Sequence, residues 1–352
     1  MLKDFVTTLN TKWLDASGPH TDVVISSRVR LARNLKDLPF PHLMNEEHDN
    51  QLIEKLRTTI DSQNLVKKTG PLEFTLLKEL NSLEKRILVE KHLISPEHAG
   101  SSSGGVIFSK DQSISIMVKE EDHLRIQCIL PGLQITDSYN MANTLDDLLE
   151  ENLDYAFHER YGYLTACPTN VGTGMRASVM MHLPGLVLTK QVNKVLTALS
   201  QVGLVVRGIY GEGTEPLGNL FQISNGTTIG RSEEEVVTNL SSVIKQIIDQ
   251  ERVARERFYN GNKLHLEDKI MRAKGILENA KLMDSDEALK LISALKLGID
   301  LGIIEAINLK VYYNLLVAIQ PAYLQYTSGQ RGMGPEERDK KRAEIIKEIL
   351  RK

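Results

Sequence analysis

The segment Tyr163-Leu-Thr-Ala-Cys-Pro-Thr-Asn-Val-Gly-Thr-Gly-Met-Arg-Ala-Ser-Val-Met-Met-His-Leu183 is the most informative part of this chain. Within it, Cys167 ends an apolar run, and a turn rich in glycine and threonine leads to Arg176. The mostly apolar residues after Arg176 predict a strand. A thiol beside permissive glycine backbone and a guanidinium is suited to bring a nucleotide phosphate and a small polar substrate together. Four other segments carry matching chemistry.

Composition and charge place the chain among ordinary globular proteins. Its 352 residues suffice for one large domain and a smaller one, and 41% of them are apolar. The formal net charge of −3 gives no overall attraction to nucleic acid or anionic membranes. Two cysteines, Cys128 and Cys167, exclude a disulfide scaffold. The sequence shows neither a signal-peptide core nor an apolar run of roughly 18 residues, so we expect a cytoplasmic protein without membrane spans.

Short apolar segments bounded by Gly, Pro and Ser predominate from residue 20 to about residue 230. They follow one another mostly without regular helical crossovers, which favours an α+β domain with a largely antiparallel sheet flanked by helices. The predicted strands are Asp22–Leu31, Arg86–Ile94, Ile114–Val118, Leu124–Ile129, Ala177–Leu183, Leu204–Ile209 and Gly218–Ser224. Helical spacing of apolar residues predicts helices over Asn45–Ile60, Asp137–Arg160 and Thr189–Gln201.

The pattern is helical from Ser232 onward. The predicted helices are Glu233–Arg257, Leu266–Met283, Ser285–Lys296, Leu309–Gln320 and a last one from Pro335 to about Leu350. We therefore predict two domains. A sheet-containing domain occupies residues 1–258, with its core at about 20–255, and an all-α domain occupies residues 259–352.

Arginines beside one another in a strand suggest an anion site. In the segment Ser26–Arg33, alternation places Arg28 and Arg30 on the same side, where an anion would relieve their repulsion. A solvated strand face or an RNA-binding stripe would explain the same pattern, and taken alone it does not decide between them.

Two further segments add carboxylates. Glu121 stands in a run of ionisable residues that ends at Arg125, and it is a candidate base or orienter. Arg207 and Glu212 lie in a glycine-rich loop that fits neither the Rossmann nor the P-loop spacing. A charged turn and a hairpin loop are the ordinary explanations. Together, however, the segments offer guanidiniums for a polyphosphate, and carboxylates and a thiol for a cation.

These segments resemble those of the ATP:guanidino phosphotransferases, the family of creatine and arginine kinases. The resemblance covers about residues 20–255 and includes the segments Cys167–Arg176, Glu120–Arg125, Arg207–Glu212, Ser27–Arg30 and Glu90–Pro96. It implies the family's fold and phosphoryl transfer from ATP to a guanidino group. It also implies that three residues act on the guanidinium: Glu121 and Glu212 bind it, and Cys167 contacts it.

The same resemblance implies a nucleotide site built on arginines, a histidine and the backbone around them. Its residues would be Val24, Ile25, Ser26, Ser27, Arg28, Arg30, His92, Arg125, Arg176, Ala177, Ser178, Val179, Met180, Arg207, Gly208, Ile209, Tyr210 and Gly211. The sequence shows no dedicated metal cage, so Mg²⁺ is expected to arrive with ATP.

The order of the segments departs from that of the small-phosphagen kinases. The first motif begins near residue 24, so we expect the helical N-terminal domain of those kinases to be absent and a helical extension to take its place after the catalytic part. This arrangement resembles the bacterial protein-arginine kinases and implies arginine-containing proteins as substrates. In Arg338-Asp-Lys-Lys-Arg-Ala343 it implies an allosteric phosphoarginine site formed by Arg338, Asp339 and Arg342. It further implies an activator protein and the Clp protease machinery in stress responses, and it allows a homodimer.

Two alternatives stay open at this point. One is a kinase of free arginine, and the other is a catalytically silent adaptor that binds guanidino groups or phosphoarginine. The intact Cys167, Glu121 and Glu212 argue against the adaptor. Nucleic-acid binding is disfavoured because the arginines are spread through a site and the net charge is slightly negative.

Overall fold

An antiparallel sheet forms the centre of the protein. The computed structural model describes residues 9, 11–208, 217–329 and 332–351. Within them, eight strands are arranged in the order β2-β3-β4-β5-β1-β8-β10-β9, and a two-stranded hairpin β6-β7 stands apart. The strands are β1 (Val24–Arg33), β2 (Leu72–Leu76), β3 (Gly105–Ser109), β4 (Ile114–Val118), β5 (Leu124–Pro131), β6 (Phe157–His158), β7 (Gly162–Tyr163), β8 (Met175–His182), β9 (Leu204–Arg207) and β10 (Leu220–Asn225).

Helices cover one side of this sheet and part of the other, and they form most of the C-terminal part. They are α1 (Glu46–Ile60), α2 (Gln63–Thr69), α3 (Ser82–Glu90), α4 (Pro96–Gly100), α5 (Ile135–Glu150), α6 (Pro184–Leu188), α7 (Val192–Gln201), α8 (Glu233–Asn279), α9 (Ser285–Asp300), α10 (Leu309–Ala318), α11 (Pro321–Ser328) and α12 (Pro335–Leu350). None of the described helices is long and apolar enough to cross a membrane. The predicted α+β class, with a largely antiparallel sheet and helices that continue to the C-terminus, is confirmed.

The two faces of the sheet differ because side chains alternate along each strand. Val29 of β1 stands opposite Cys128 of β5 and Ala177 of β8, and all three are buried. They belong to the main core, which α5 and the first half of α8 cover. The next residue of β1, Arg30, points to the other face.

One predicted strand is wrong. Arg86–Ile94 begins inside a helix, α3, and not in a strand. Asn81 caps this helix by accepting hydrogen bonds from the backbone of Leu83 and Glu84, and the Glu84 carboxylate accepts from the backbone of Asn81. This capping box, readable as Asn-x-x-Glu, outweighs the β-type composition of the apolar run. Strands β2, β3, β6 and β7 and helices α2, α4, α6 and α11 were not predicted.

A single long helix connects the sheet to the C-terminal helices. Helix α8 runs from Glu233 to Asn279 with one break, at Asn262 (φ −141°, ψ 32°). Asn262 lies in the Asn-Gly-Asn segment where the sequence separated two helices. The predicted boundary at residues 258/259 thus lies shortly before the kink at Asn262, and the division into two domains stays a prediction.

The C-terminal helices share a second core with the sheet. Buried Tyr312 and Leu324 belong to the same cluster as Trp13, Ile129 and Met180 of the sheet-containing part.

Buried ion pairs connect the same two parts. Arg255 of α8 contacts Glu251 at 2.5 Å and Asp300 of α9 at 3.2 Å, and Lys296 contacts Asp300 at 2.8 Å. The Lys296 ammonium also donates to the backbone carbonyl of Asp22, just before β1.

Candidate active site

Strand register gathers arginines on the face of the sheet opposite the main core. On β1, Arg28 and Arg30 are two residues apart and therefore point to the same side. Arg30 stands opposite Arg176 of β8, and Arg28 stands opposite Ser178, whose hydroxyl lies 3.5 Å from the Arg28 Nε.

The neighbouring strands extend this arrangement. Arg125 of β5 is paired with Ala32, which is two residues beyond Arg30 on β1. Arg207 of β9 is paired with Gln222 of β10, which is itself paired with Met180 of β8. All these positions share the face of Arg30. Residues from distant parts of the sequence thus form one basic surface.

A cavity of about 820 Å³ opens on this surface. Four predicted arginines line it together with Glu121 and Cys167. The lining residues are Arg30, Ala32, Glu97, His98, Ser101, Lys119, Glu120, Glu121, Arg125, Cys167, Thr169, Asn170, Gly174, Arg176, Val205, Arg207 and Gly226. The arginines form a cationic wall of this cavity, and a carboxylate and a thiol line it as well.

The cationic wall has the electrostatics of an anion site. Burial and the charges of Arg125 and Arg176 lower the pKa of Arg28 to about 10. Burial and the guanidiniums of its neighbours lower the pKa of Arg30 well below its usual value. The buried Nε of Arg30 has no hydrogen-bond partner among the described residues. A polyphosphate would supply both the missing acceptor and the missing negative charge.

Arg125 has a carboxylate partner in this structure. Its Nη1 donates to both oxygens of Glu120, at 2.6 and 2.7 Å, and the Ser95 hydroxyl donates to the same carboxylate at 2.6 Å. Although burial would raise it, the pKa of Glu120 is held at about 2 by Arg125 and Ser95. The sequence motif contains Glu120, but nothing in it shows which of its carboxylates would pair with the arginine.

Glu121 and Cys167 lie together at the mouth of the cavity. Asn170 Nδ2 donates to Glu121 Oε2 at 3.4 Å, and Cys167 Sγ lies 3.0 Å from Thr169 Oγ1. Burial and the charges of Asp122 and Glu120 raise the pKa of Glu121, while its contact with Cys167 partly opposes the rise. A carboxylate of raised pKa beside a cysteine is a suitable proton acceptor.

A buried hydrogen-bond network places these two residues side by side. The carboxylate of Asp122 accepts from Asn34 Nδ2 at 2.6 Å and from the backbone N–H of Ala166 at 2.7 Å. Asn34 also accepts from the backbone of His123 at 2.9 Å. Because Asp122 follows Glu121 and Ala166 precedes Cys167, the network fixes both at once. Sequence analysis missed Asn34, which is 88 residues from Asp122.

Hydrogen bonds from Thr228 fix the turn after Cys167. The Thr228 hydroxyl donates to the carbonyls of Thr169 and Val171, at 2.9 and 2.7 Å. Gly172 adopts a positive φ of 112°, and a Cβ there would collide with the backbone of Thr228. The glycine-rich composition of the turn therefore has a steric cause.

His92 lies behind the cavity and does not line it. Its backbone has φ 60°, its carbonyl accepts from Gln127 Nε2 at 2.8 Å, and its ring meets Trp13 edge-on at 5.6 Å. Burial and the charge of Arg28 lower the pKa of His92 to about 3. It is therefore a neutral imidazole at physiological pH.

The other predicted nucleotide-site residues lie in and beside the strands. Ser178 and Met180 share the face of Arg28, whereas Ala177 and Val179 point to the main core. Val24, Ile25, Ser26, Ser27 and Gly208 are buried and do not line the cavity. Ile209, Tyr210, Gly211 and Glu212 lie outside the described residues.

The motif in α12 has one accessible and one enclosed arginine. Arg338 is half-buried and donates to the carbonyl of Met333 at 3.0 Å. Arg342 is 1% exposed and donates to the carbonyls of Ile319 and Met283. It also contacts the Asp339 carboxylate at 2.6 Å. The spacing of four residues suggested that the two guanidiniums stand together at the surface. In the structure they do not.

Family comparisons agree with this fold. The model for "ATP:guanido phosphotransferase, C-terminal catalytic domain" matches residues 51–254. The model for "Protein-arginine kinase McsB C-terminal domain" matches residues 263–352. The class to which the sheet-containing part belongs is thus that of phosphotransferases for guanidino groups.

Full-length relatives are more specific. The chain is 50% identical over 342 residues to the protein-arginine kinase of Moorella thermoacetica (strain ATCC 39073 / JCM 9320), covering 97% of each chain. It is 47% identical over 351 residues to that of Bacillus subtilis (strain 168), covering 99% of this chain and 96% of the relative. The chain belongs to the ATP:guanidino phosphotransferase family, among the relatives of the bacterial protein-arginine kinases.

Solved structures share the fold. The crystal structure of lombricine kinase has a TM-score of 0.57 at 24% identity, over 68% of this chain and 70% of that one. The duplicated taurocyamine kinase of Schistosoma mansoni with bound transition-state-analogue components has a TM-score of 0.60 at 22% identity, over 75% of this chain and 39% of that one. At such identities the likeness concerns the fold alone.

Proposed function

We propose that this protein transfers the γ-phosphoryl group of Mg-ATP to a guanidinium nitrogen of arginine side chains in proteins. The observation that supports it most is that Arg30, Arg125 and Arg176 line the same cavity as Glu121 and Cys167. The family uses ATP, and relatives about 50% identical over nearly the full length are named protein-arginine kinases.

The arginine wall supplies the phosphate side of the reaction. The transferred phosphoryl group spreads negative charge over its oxygens, and fixed guanidiniums stabilise that charge without reorganisation. The Nε of Arg30 is a hydrogen-bond donor that has no acceptor among the described residues. Arg28 adds a further positive charge. No group of three or more His, Cys, Asp or Glu in the described ranges is arranged to hold a metal ion. Mg²⁺ would be bound through the phosphates of ATP and would neutralise their charge.

Glu121 and Cys167 are the residues proposed to act on the guanidinium. A protonated guanidinium is a poor nucleophile because its pKa lies above about 12. As the attacking nitrogen forms its bond to the γ-phosphorus, the bond from that phosphorus to the bridging oxygen of ADP breaks. The nitrogen's proton passes to a carboxylate, and we assign this role to Glu121, which lines the cavity. Cys167 positions the guanidinium cation by electrostatic attraction. Glu212 is proposed as the second carboxylate that binds this cation.

The deciding experiment is mass spectrometry of a substrate protein after incubation with Mg-ATP, under non-acidic conditions that preserve the N–P bond. We expect phosphate on arginine side chains and little transfer to free L-arginine. Phosphorylation of free L-arginine alone would indicate a small-molecule kinase. Absence of ATP turnover would indicate a silent adaptor.

We propose that the α12 motif binds phosphoarginine outside the active site. Arg338 would meet the phosphate, and Asp339, which is half-buried, would meet the guanidinium. Arg342 would hold Asp339 and the start of α9 in place through its contacts with Asp339 and Met283. The test measures rate against added phosphoarginine peptide for wild type, Arg338→Ala and the exposed neighbour Lys340→Ala. Identical curves for all three would contradict allosteric binding.

The family resemblance motivates three further proposals about context. They are a cytoplasmic role in stress responses, work with an activator protein and the Clp protease machinery, and assembly as a homodimer. Sedimentation analysis of the purified chain tests the last proposal. Affinity capture before and after heat stress tests the first two.

A further inference from the structure

We propose that an exposed apolar surface beside the Cys167 turn binds the polypeptide that flanks the substrate arginine. This rim patch consists of Phe157, Tyr161 and Ile229. Phe157 and Ile229 are each 57% exposed, and Tyr161 is 45% exposed. The inference rests on the proposed function and narrows its substrate class to arginines with apolar neighbours.

The rim patch is continuous with the wall of the cavity. The backbone N–H of Tyr163, at the end of the β6-β7 hairpin, donates to the carbonyl of Gly172 at 2.8 Å. On the other side of the turn, a Cβ on Gly172 would lie 2.9 Å from the Cα of Ile229. The turn between these flanks contributes Cys167, Thr169 and Asn170 to the cavity. The turn that lines the cavity therefore lies between the hairpin that carries Phe157 and Tyr161 and the segment that carries Ile229.

The rim patch is preformed. Phe157 packs edge-on against Tyr163 at 5.2 Å, and the guanidinium of Arg33 lies 3.5 Å from the centre of the Tyr163 ring. Arg33 is buried and paired with Asp146 at 2.6 Å. A rigid apolar surface loses little conformational entropy when a ligand binds. The free energy of its contacts therefore contributes almost fully to the affinity for the ligand.

The chemistry of the cavity explains why a polypeptide would use this surface. The cavity takes charged groups, a polyphosphate at the arginines and a guanidinium at Glu121 and Cys167. The main chain of a protein substrate must then lie outside the cavity, within the length of one arginine side chain. On the Cys167 side, the wall leads from this mouth to the rim patch. Glu159 and Arg160, exposed at the tip of the hairpin, carry opposite charges, so selection by apolar contact is favoured over selection by charge.

The test compares two peptides of equal length with one arginine each, flanked either by Leu and Phe or by Gly and Ser. With the full-length protein and Mg-ATP, we expect the apolar peptide to have the lower KM by roughly tenfold, the effect of burying one or two apolar side chains. Phe157→Ser combined with Ile229→Ser should remove this difference by raising the KM of the apolar peptide only, with kcat unchanged. Val66→Ser, at an exposed valine on α2, is the matched control and should behave as wild type.

The outcomes separate this inference from the proposed function. Phosphorylation of both peptides with equal KM would overturn the rim patch but leave the kinase intact. Phosphorylation of neither peptide, nor of any protein, would overturn the kinase itself. A double variant that changes its sedimentation but not its KM ratio would assign the surface to contact between subunits and contradict substrate docking.

Discussion

The carboxylate of Glu121 is the residue on which proton transfer depends in the proposed reaction. Glu121→Gln keeps the shape but removes the acceptor, so we expect turnover to fall by roughly 10² to 10⁴ with nearly unchanged ATP affinity. Steady-state kinetics and nucleotide titration measure the two quantities. Glu97→Gln, a change at another carboxylate that lines the same cavity, is the control and should keep near-wild-type turnover.

The two cysteines provide a matched pair. Cys167 lies at the cavity mouth and Cys128 in the main core, where burial raises the pKa of its thiol. Cys167→Ser should lower activity strongly without unfolding the protein. Cys128→Ser should leave kcat nearly unchanged, since it replaces a small buried hydrophobe far from the reacting groups. Full activity of Cys167→Ser would remove the thiol from the mechanism.

The charge of Asp122 should be visible in the pH profile. It is one of the causes that raise the pKa of Glu121. Asp122→Asn removes that charge, so the pKa of Glu121 should fall and the acidic limb of kcat/KM should move to lower pH. Asp154→Asn, at an exposed carboxylate, is the control. Loss of activity without displacement of the limb would leave Asp122 a purely structural role.

Among the elements, helix α11 depends on a residue from outside the C-terminal part. Glu90, at the end of α3, accepts the backbone N–H groups of Ala322 and Tyr323, at 2.7 and 2.9 Å. Burial nevertheless raises the pKa of Glu90 to about 7. A carboxyl whose pKa is higher in the folded state contributes stability below its unfolded pKa and loses it as pH rises through the folded value.

This capping contact makes a prediction for stability. Between about pH 4.5 and pH 7, ionisation of Glu90 should cost the wild type roughly 3 kcal/mol, an order-of-magnitude figure from the raised pKa. Glu90→Gln should lack this component. Urea unfolding of both proteins at about pH 5 and about pH 8 measures the difference. Equal pH dependence in the two would show that Glu90 does not titrate in this range.

Local periodicity predicted some elements well. Contacts between residues far apart in the sequence could not be predicted from it. The alternation around Arg28 and Arg30 was sufficient to place both on one side of β1, and α1, capped by Asn45, begins one residue after the predicted start. The contact of Asn34 with Asp122 depends on which strands lie side by side, which no local pattern contains. Helix α3 was missed because its capping signal was not weighed against its apolar composition.

In the whole molecule, the buried ion pairs around Arg255 join the sheet-containing part to the C-terminal helices. Arg255→Ala leaves the buried Glu251 and Asp300 short of a partner, so we expect a loss of about 3–5 kcal/mol. Arg252→Ala, three residues away at an exposed pair with Asp22, should cost about 0–1 kcal/mol. Chemical denaturation measures both. We expect one cooperative transition, because the cores on either side share this network.

The two-faced sheet also limits how this chain can diversify. The strand that carries Arg30 toward the cavity carries Val29 and Leu31 into the core. Inserting or deleting one residue within β1 would exchange the two sets, burying guanidiniums and exposing valine and leucine. Lineages of this protein should therefore vary in length at the connections between strands and keep the length of β1 constant.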